Sequence, residues 1–194
     1  MINRKSRILT VSRIMAVVLM IDVVSANETT TLFDGKTFDG WEGNLDIFRI
    51  EDGAIVGGTM EERIPHNDFL VSEAEYGDFE WTLRVKVKGP GNGGYQADMG
   101  WTFWGALYDE SRRNRVLQGP DKELIDRILK KDDWNDYRIR CEGKRIRLWL
   151  NGELTVDYTE ADDGIPLTGH LAVQIHGGAP SECWYKDIVI EELE

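Results

Sequence analysis

The stretch Phe79-Glu80-Trp81-Thr82-Leu83-Arg84-Val85-Lys86-Val87 constrains the fold more than any other part of the chain. Apolar residues hold every odd position and polar ones every even position, the period of a strand with one face buried and one in water. The alternation returns in Tyr137-Arg138-Ile139-Arg140-Cys141 and in Ile146-Arg147-Leu148-Trp149-Leu150. Glu142-Gly143-Lys144 lies between those two runs, so they read as a hairpin. Asn151-Gly152, the strongest turn dipeptide in the chain, leads into a further alternating strand over 153–158. Asp34-Gly35, Asp39-Gly40 and Asp52-Gly53 punctuate the early part in the same way, and residues 171–175 and 188–193 read as closing strands. Only residues 121–131 carry helical spacing, with Leu124, Ile125, Ile128 and Leu129 on one stripe and Pro120 at the start. Many short antiparallel strands with one small helix predict an all-β sandwich or jelly roll.

Charge narrows the partners. With 23 Lys+Arg against 35 Asp+Glu the formal net charge is -12, which argues against nucleic acid, whose binders present a basic face to the phosphates. A membrane surface is disfavoured on the same ground. At 41% hydrophobic residues the chain is packed and globular. Arg4, Lys5, Arg7 and Arg13 precede an apolar run from Ile14 to Val24 that closes in Val24-Ser25-Ala26, the pattern of a secretory signal peptide. The domain reading is therefore 1–26 as signal peptide and 27–194 as a single exported domain, periplasmic or extracellular. Two lone cysteines, Cys141 and Cys183, are expected as free thiols, with a disulfide as the alternative that export allows.

Candidate chemistry follows from parity. In Gly94-Tyr95-Gln96-Ala97-Asp98-Met99 the side chains of Gln96 and Asp98 point to one face. Gln174 and His176 oppose Leu171, Val173 and Ile175 in the same way, and Gly177-Gly178 follows, where a ligand can approach the backbone. A carboxylate, a histidine and two amides on one sheet face can hydrogen-bond a sugar and move a proton. Residues 101–115 interleave Trp104 and Tyr108 with Asp109, Glu110, Arg112 and Arg113, so rings can pack on sugar C–H faces while charged groups take hydroxyls. The bland alternative, aromatics plugging the core and charges in solvent, stands beside it. His66 and His170 follow turn signals and read as surface residues. The glycines of Gly89-Pro90-Gly91-Asn92-Gly93-Gly94 read as a turn, since no Lys-Ser/Thr and no helix follow to make a phosphate cradle. No zinc or calcium spacing and no cofactor motif is present, and a divalent metal stays open.

The opening Leu32-Phe33-Asp34-Gly35-Lys36-Thr37-Phe38-Asp39-Gly40-Trp41, the segments Gly94 to Met99 and Trp104 to Arg113, Val173-Gln174-Ile175-His176-Gly177-Gly178 and the ending Trp184-Tyr185-Lys186-Asp187-Ile188 together resemble the 3-keto-disaccharide hydrolase family over about residues 31–194. The resemblance implies a concanavalin A-like jelly-roll sandwich of two antiparallel sheets, exported by bacteria. It also implies cleavage of glycosides whose C3 hydroxyl has been oxidised to a ketone. That ketone acidifies the C2 proton, so a base abstracts it, the glycosidic oxygen leaves, and water adds. Asp98 and His176 are then the expected acid/base pair, with Gln96 and Gln174 holding the sugar and Trp104, Tyr108, Asp109, Glu110, Arg112 and Arg113 lining the cleft. One departure stands out: Gly94 runs straight into Tyr95 where the family's pattern carries an extra strand ending in Phe-Arg. A shortened sheet points toward the alternative, a glycan-binding module without catalysis. The disaccharide, its linkage and the oligomeric state are not legible in the sequence.

Overall fold

The structure, a computed structural model, describes residues 28–89, 97–100, 103–110 and 112–193. The expected signal peptide, Gln96 and the glycines of 91–94 lie outside the described residues. In chain order the strands are β1 (Thr29–Thr31), β2 (Trp41–Gly43), β3 (Phe48–Glu51), β4 (Ala54–Thr59), β5 (Asp68–Tyr76), β6 (Phe79–Lys88), β7 (Leu107–Asp109) and β8 (Arg115–Gln118). After the helix α1 (Lys122–Ile128) come β9 (Asn135–Glu142), β10 (Arg145–Leu150), β11 (Glu153–Thr159), β12 (Gly169–Ile175) and β13 (Ser181–Glu192).

One large antiparallel sheet forms the base, in the order β11-β10-β9-β6-β13-β4-β3, with β1 pairing a further stretch of β13. The opposite layer is divided into a three-stranded sheet, β12-β5-β2, and the hairpin β7-β8. The strand of strictest alternation, β6, lies mid-sheet between β9 and β13. Its odd residues from Phe79 to Val87 are buried and its even ones partly exposed, because they face the core and the outer surface in turn. Asn151 and Gly152 both take positive φ, 50° and 87°, which matches the twist of the β10-β11 hairpin they join. Phe48, Leu70, Tyr185, Ile188 and Ile190 are almost wholly buried in the main core between the layers. A smaller cluster of Leu107, Leu148 and Val156 joins the β7-β8 hairpin to β10 and β11.

Two elements differ from the sequence expectation. The final strand begins at Ser181, seven residues before the start its alternation suggests. Cys183, Trp184 and Tyr185 are all buried, since Trp134 and neighbouring lysines cover the outward-facing Trp184, and this masks the period of two. The helix is one short piece with no buried residue, although Ile125, Ile128 and Leu129 pack against the core edge as the stripe predicts. Among the described residues no helix is long and apolar enough to cross a membrane.

Candidate functional site

The three-stranded sheet and the β7-β8 hairpin leave part of the large sheet's inner face uncovered, and a cavity of about 360 Å3 lies there. Phe79, Trp81, Leu83 and Val85 of β6, Tyr137 and Ile139 of β9, and Leu171 and Val173 of β12 make its walls mostly apolar. Polar groups are few: Asp98, Gln174, His170 and the phenols of Tyr137 and Tyr185. Concave, largely apolar walls with a few convergent polar groups are the usual form of a small-molecule site.

Asp98 is set in place by backbone pairing. Ala97 bridges to Leu107, the Asp98 N–H donates to the Ala106 carbonyl at 2.9 Å, and the Gly105 N–H donates back to the Asp98 carbonyl at 3.1 Å. The buried Tyr137 hydroxyl donates to that same Asp98 carbonyl at 2.5 Å and accepts from the Gly105 N–H at 2.8 Å. One phenol on β9 thus pins the segment that carries the carboxylate. Among the described residues the Asp98 side chain accepts only from the Met99 N–H, at 2.9 Å, and the residue is 2% exposed. Burial pushes its carboxyl up to about 8, and the nearby charge of Glu110 adds in the same direction. At neutral pH it is mainly protonated, so it can donate a proton or a hydrogen bond.

Two buried donors in the cavity wall have no acceptor among the described residues, the Gln174 amide nitrogen and the Trp81 indole nitrogen. Buried donors are nearly always paired, at a cost of about 1–3 kcal/mol when they are not. A ligand carrying several oxygens would satisfy both. The Gln174 backbone carbonyl accepts from the Tyr185 hydroxyl at 2.5 Å, which fixes β12 against β13 here.

Sequence parity had joined Asp98, Gln174 and His176. Asp98 and Gln174 line one cavity, while His176 is not among its wall residues. His176 follows directly on β12, and its Nδ1 lies 2.6 Å from the Gly177 carbonyl. A carbonyl can only accept, so Nδ1 carries a proton, and in the neutral ring the lone pair is then on Nε2. The Gly177 N–H donates to Asn67 Oδ1 at 2.9 Å, and Asn67 Nδ2 donates to Glu110 at 3.3 Å. Asn67 therefore links the His176 turn to Glu110, whose charge acts on Asp98. A Cβ at Gly177 would come within 2.8 Å of the His66 backbone, so only glycine lets these two loops close.

The described residues of the 101–115 run mainly brace the hairpin. Trp104 is buried and stacks on Tyr137 at 6.4 Å, and Tyr108 meets Phe103 edge-on at 6.1 Å. Asp109 has no exposure; Arg112 lies 3.0 Å and Arg113 3.3 Å from its oxygens. Arg113 also forks onto both oxygens of Glu160 at 2.9 Å, which holds the Glu160 carboxyl down at about 2. Of the residues expected to line the cleft, Trp104, Tyr108, Asp109, Glu110, Arg112 and Arg113 are not among this cavity's wall residues. Trp104 instead packs on Tyr137 of β9, and the charged groups of the hairpin pair with one another and with Glu160.

Three contributors escaped the sequence reading. Trp81 sits on the apolar side of β6, where its unpartnered N–H has no sequence signal. Asn67 carries no motif in its loop. His170 is exposed, as expected of a surface histidine, yet it lines the cavity, with Nδ1 2.8 Å from the Ser72 carbonyl and Nε2 3.4 Å from Glu75. Among the described residues no three His, Cys, Asp or Glu side chains gather to hold a metal ion.

Residues 28–191 match the family model described as the 3-keto-alpha-glucoside-1,2-lyase-like domain. Comparison with curated proteins returned no match. Among solved structures, one similar chain is from Parabacteroides distasonis ATCC 8503, a glycosyl hydrolase by name only, with TM-score 0.63 and 18% identity over 86% of this chain and 94% of that one. A carbohydrate-binding module from Bacillus subtilis superposes with TM-score 0.56 and 13% identity over 79% and 96%. A beta-1,3-1,4-glucanase (lichenase) from a mouse hindgut metagenome gives 0.53 and 14% over 86% and 98%. These likenesses establish the concanavalin A-like jelly-roll fold.

Proposed function

The chain belongs to the 3-keto-alpha-glucoside-1,2-lyase-like family, and from that premise we propose that it cleaves 3-keto-glycosides by acid/base elimination in the cavity between the layers. The observation that carries the reading is Asp98: a wholly buried carboxyl, protonated near neutral pH, in a wall that also holds unpartnered donors. In the reaction a base removes the proton on C2, the C1–O bond breaks, and a C1=C2 double bond forms in conjugation with the C3 ketone. The departing oxygen takes the Asp98 proton. Addition of water across the double bond completes hydrolysis and leaves 3-keto-glucose. Gln174 and the Trp81 indole supply hydrogen bonds to the ketone or hydroxyl oxygens, which strengthen as charge builds on the ketone. His176, two residues beyond the cavity-lining Gln174 rather than in the wall itself, is the proposed base through Nε2 of its neutral ring, with Nδ1–H held by the Gly177 carbonyl, and the Asn67–Glu110 link positions its turn. Gln96 belongs to the same proposal as a sugar ligand on the segment leading to Asp98.

The test is incubation of the purified protein with 3-keto-trehalose and with a 3-keto-glucoside, following free 3-keto-glucose. Turnover that falls on the order of a hundredfold or more in His176→Ala, with thermal melting unchanged, is the expected result. Wild-type binding of the sugar without turnover would instead favour a glycan-binding module. We further propose export, with cleavage after Ala26. Mass spectrometry of secreted protein is expected to give Asn27 as the first residue, and recovery of intact Met1 in the cytosol alone would overturn this.

A further inference from the structure

The outer face of the large sheet carries a second candidate site, away from the cavity. Arg84, Lys86 and Lys186 surround the Trp134 ring, at 5.9, 4.7 and 4.3 Å from its centre, and Arg138 lies 3.8 Å over Trp149. Cross-strand register puts these cations on one face, since Arg84 opposes Lys186, Trp184 opposes Lys86, and Arg138 opposes both Thr82 and Trp149. Neither Lys86 nor Lys186 has a carboxylate within ion-pair distance among the described residues. An indole ring holds an ammonium in place without cancelling its charge, so Lys86 and Lys186 present their charge here, while Arg84 pairs with Asp136 and Asp187 and Arg138 with Glu80.

Arg84, Arg138 and Trp149 line a groove of about 350 Å3, with Lys186 directly across from Arg84 at its edge, and it also carries two exposed carboxylates, Asp136 and Asp187. Asp187 is there because of a bulge. The register of β13 against β6 shifts between Lys186 and Val189, and Asp187 takes a left-handed φ of 53°. Regular alternation from Trp184 outward and Tyr185 inward would turn Asp187 into the core. The bulge instead leaves Asp187 61% exposed, 3.7 Å from Arg84, while Ile188 fills the core at 0%. A non-glycine residue is disfavoured in this backbone region, and such outliers and bulges gather at binding sites.

We infer that this groove binds an acidic polysaccharide, a uronate-bearing glycan whose carboxylates meet Lys86, Lys186 and Arg138 while its hydroxyls donate to Asp136 and Asp187. The mixture of charges selects this class over nucleic acid. A phosphate backbone brings many anions at close spacing and would be repelled by both aspartates, whereas an acidic sugar brings donors and anions side by side. The site would tether the protein to a glycan chain independently of what the cavity does.

The test is titration of the full chain with polygalacturonate, with dextran as the neutral control and duplex DNA as the rival polyanion. Binding of polygalacturonate that weakens with added salt, no binding of dextran, and loss of roughly tenfold or more in affinity in Lys86→Glu/Lys186→Glu are expected. Asp187→Gly decides the mode, because glycine accepts the φ of 53° and the fold is retained. Hydroxyl recognition predicts weaker polygalacturonate binding in Asp187→Gly, by about threefold or more. Simple charge attraction predicts stronger binding, since an anion has been removed. Tighter binding to DNA than to polygalacturonate, unchanged affinity in the lysine variant, or stronger binding in Asp187→Gly would each overturn the inference.

Discussion

At the scale of the residue, Asp98 is held in an environment that disfavours its charge. Its carboxyl titrates near 8 in the fold, against an ordinary 3.8, chiefly because burial strips its water. The native state therefore keeps a proton that the unfolded chain releases between about pH 4 and 8. Stability falls as pH rises through that window, and above pH 8 the ionised group costs on the order of a few kcal/mol. Asp98→Asn removes the titration and keeps a neutral hydrogen-bonding side chain. It is expected to melt higher than wild type at pH 9, with the gap closing toward pH 4, and the proposed mechanism predicts loss of 3-keto-glycoside turnover throughout. Calorimetry across that range checks the first part, and a gap independent of pH would show that Asp98 does not titrate as described. Position 98 was legible as a candidate from its alternation with Ala97 and Met99. Its burial was not, because Tyr137, 39 residues away, and Gly105 create it.

At the scale of the element, the β7-β8 hairpin shows how charge can act as a fastener. Arg113 lies between the buried Asp109 and Glu160, at the end of β11, and its planar fork matches both Glu160 oxygens. Glu160 has a depressed pKa, so its contribution is fully present above about pH 4.5 and is lost as pH falls through about 2. Lysine cannot reproduce the fork. Arg113→Lys is expected to lower the melting temperature at pH 6, with the difference from wild type shrinking toward pH 2. A difference that stays constant with pH would remove Glu160 from the account. The sequence offered Asp109 and Arg113 as sugar ligands because residue type alone cannot separate a charge aimed at a ligand from one aimed at a neighbouring strand. The hairpin β9-β10 and the strand β6 were legible, since local alternation and a glycine turn specify them. The early start of β13 was not, since packing on its outer face hides the pattern.

At the scale of the whole molecule, the sheet order keeps the two cysteines apart. Cys141 pairs with Phe79 and Cys183 with Val87, eight positions further along β6, a span of roughly 27 Å at the rise of a strand. A disulfide needs Cα atoms within about 7 Å. Both thiols are free in the structure, and burial pushes Cys141 up to about 11 and Cys183 up to about 12. Alkylation without reductant is expected to label both after denaturation and Cys183 scarcely at all before it. A mass lower by two hydrogens would contradict this. The sequence by itself determined what depends on near neighbours: an all-β chain, its hairpins and turns, its acidic balance, and two residues of the candidate site, Asp98 and Gln174. Tertiary structure decided what depends on distant partners. It set how far the second layer reaches across the first, and so opened the cavity that Trp81 and His170 line. It drew Trp104, Asp109 and Arg113 into the support of that layer, and it linked His176 through Asn67 to Glu110. The division has one physical cause: periodicity records which face of a strand is buried, whereas the pairing that chooses its neighbours joins residues far apart in the chain.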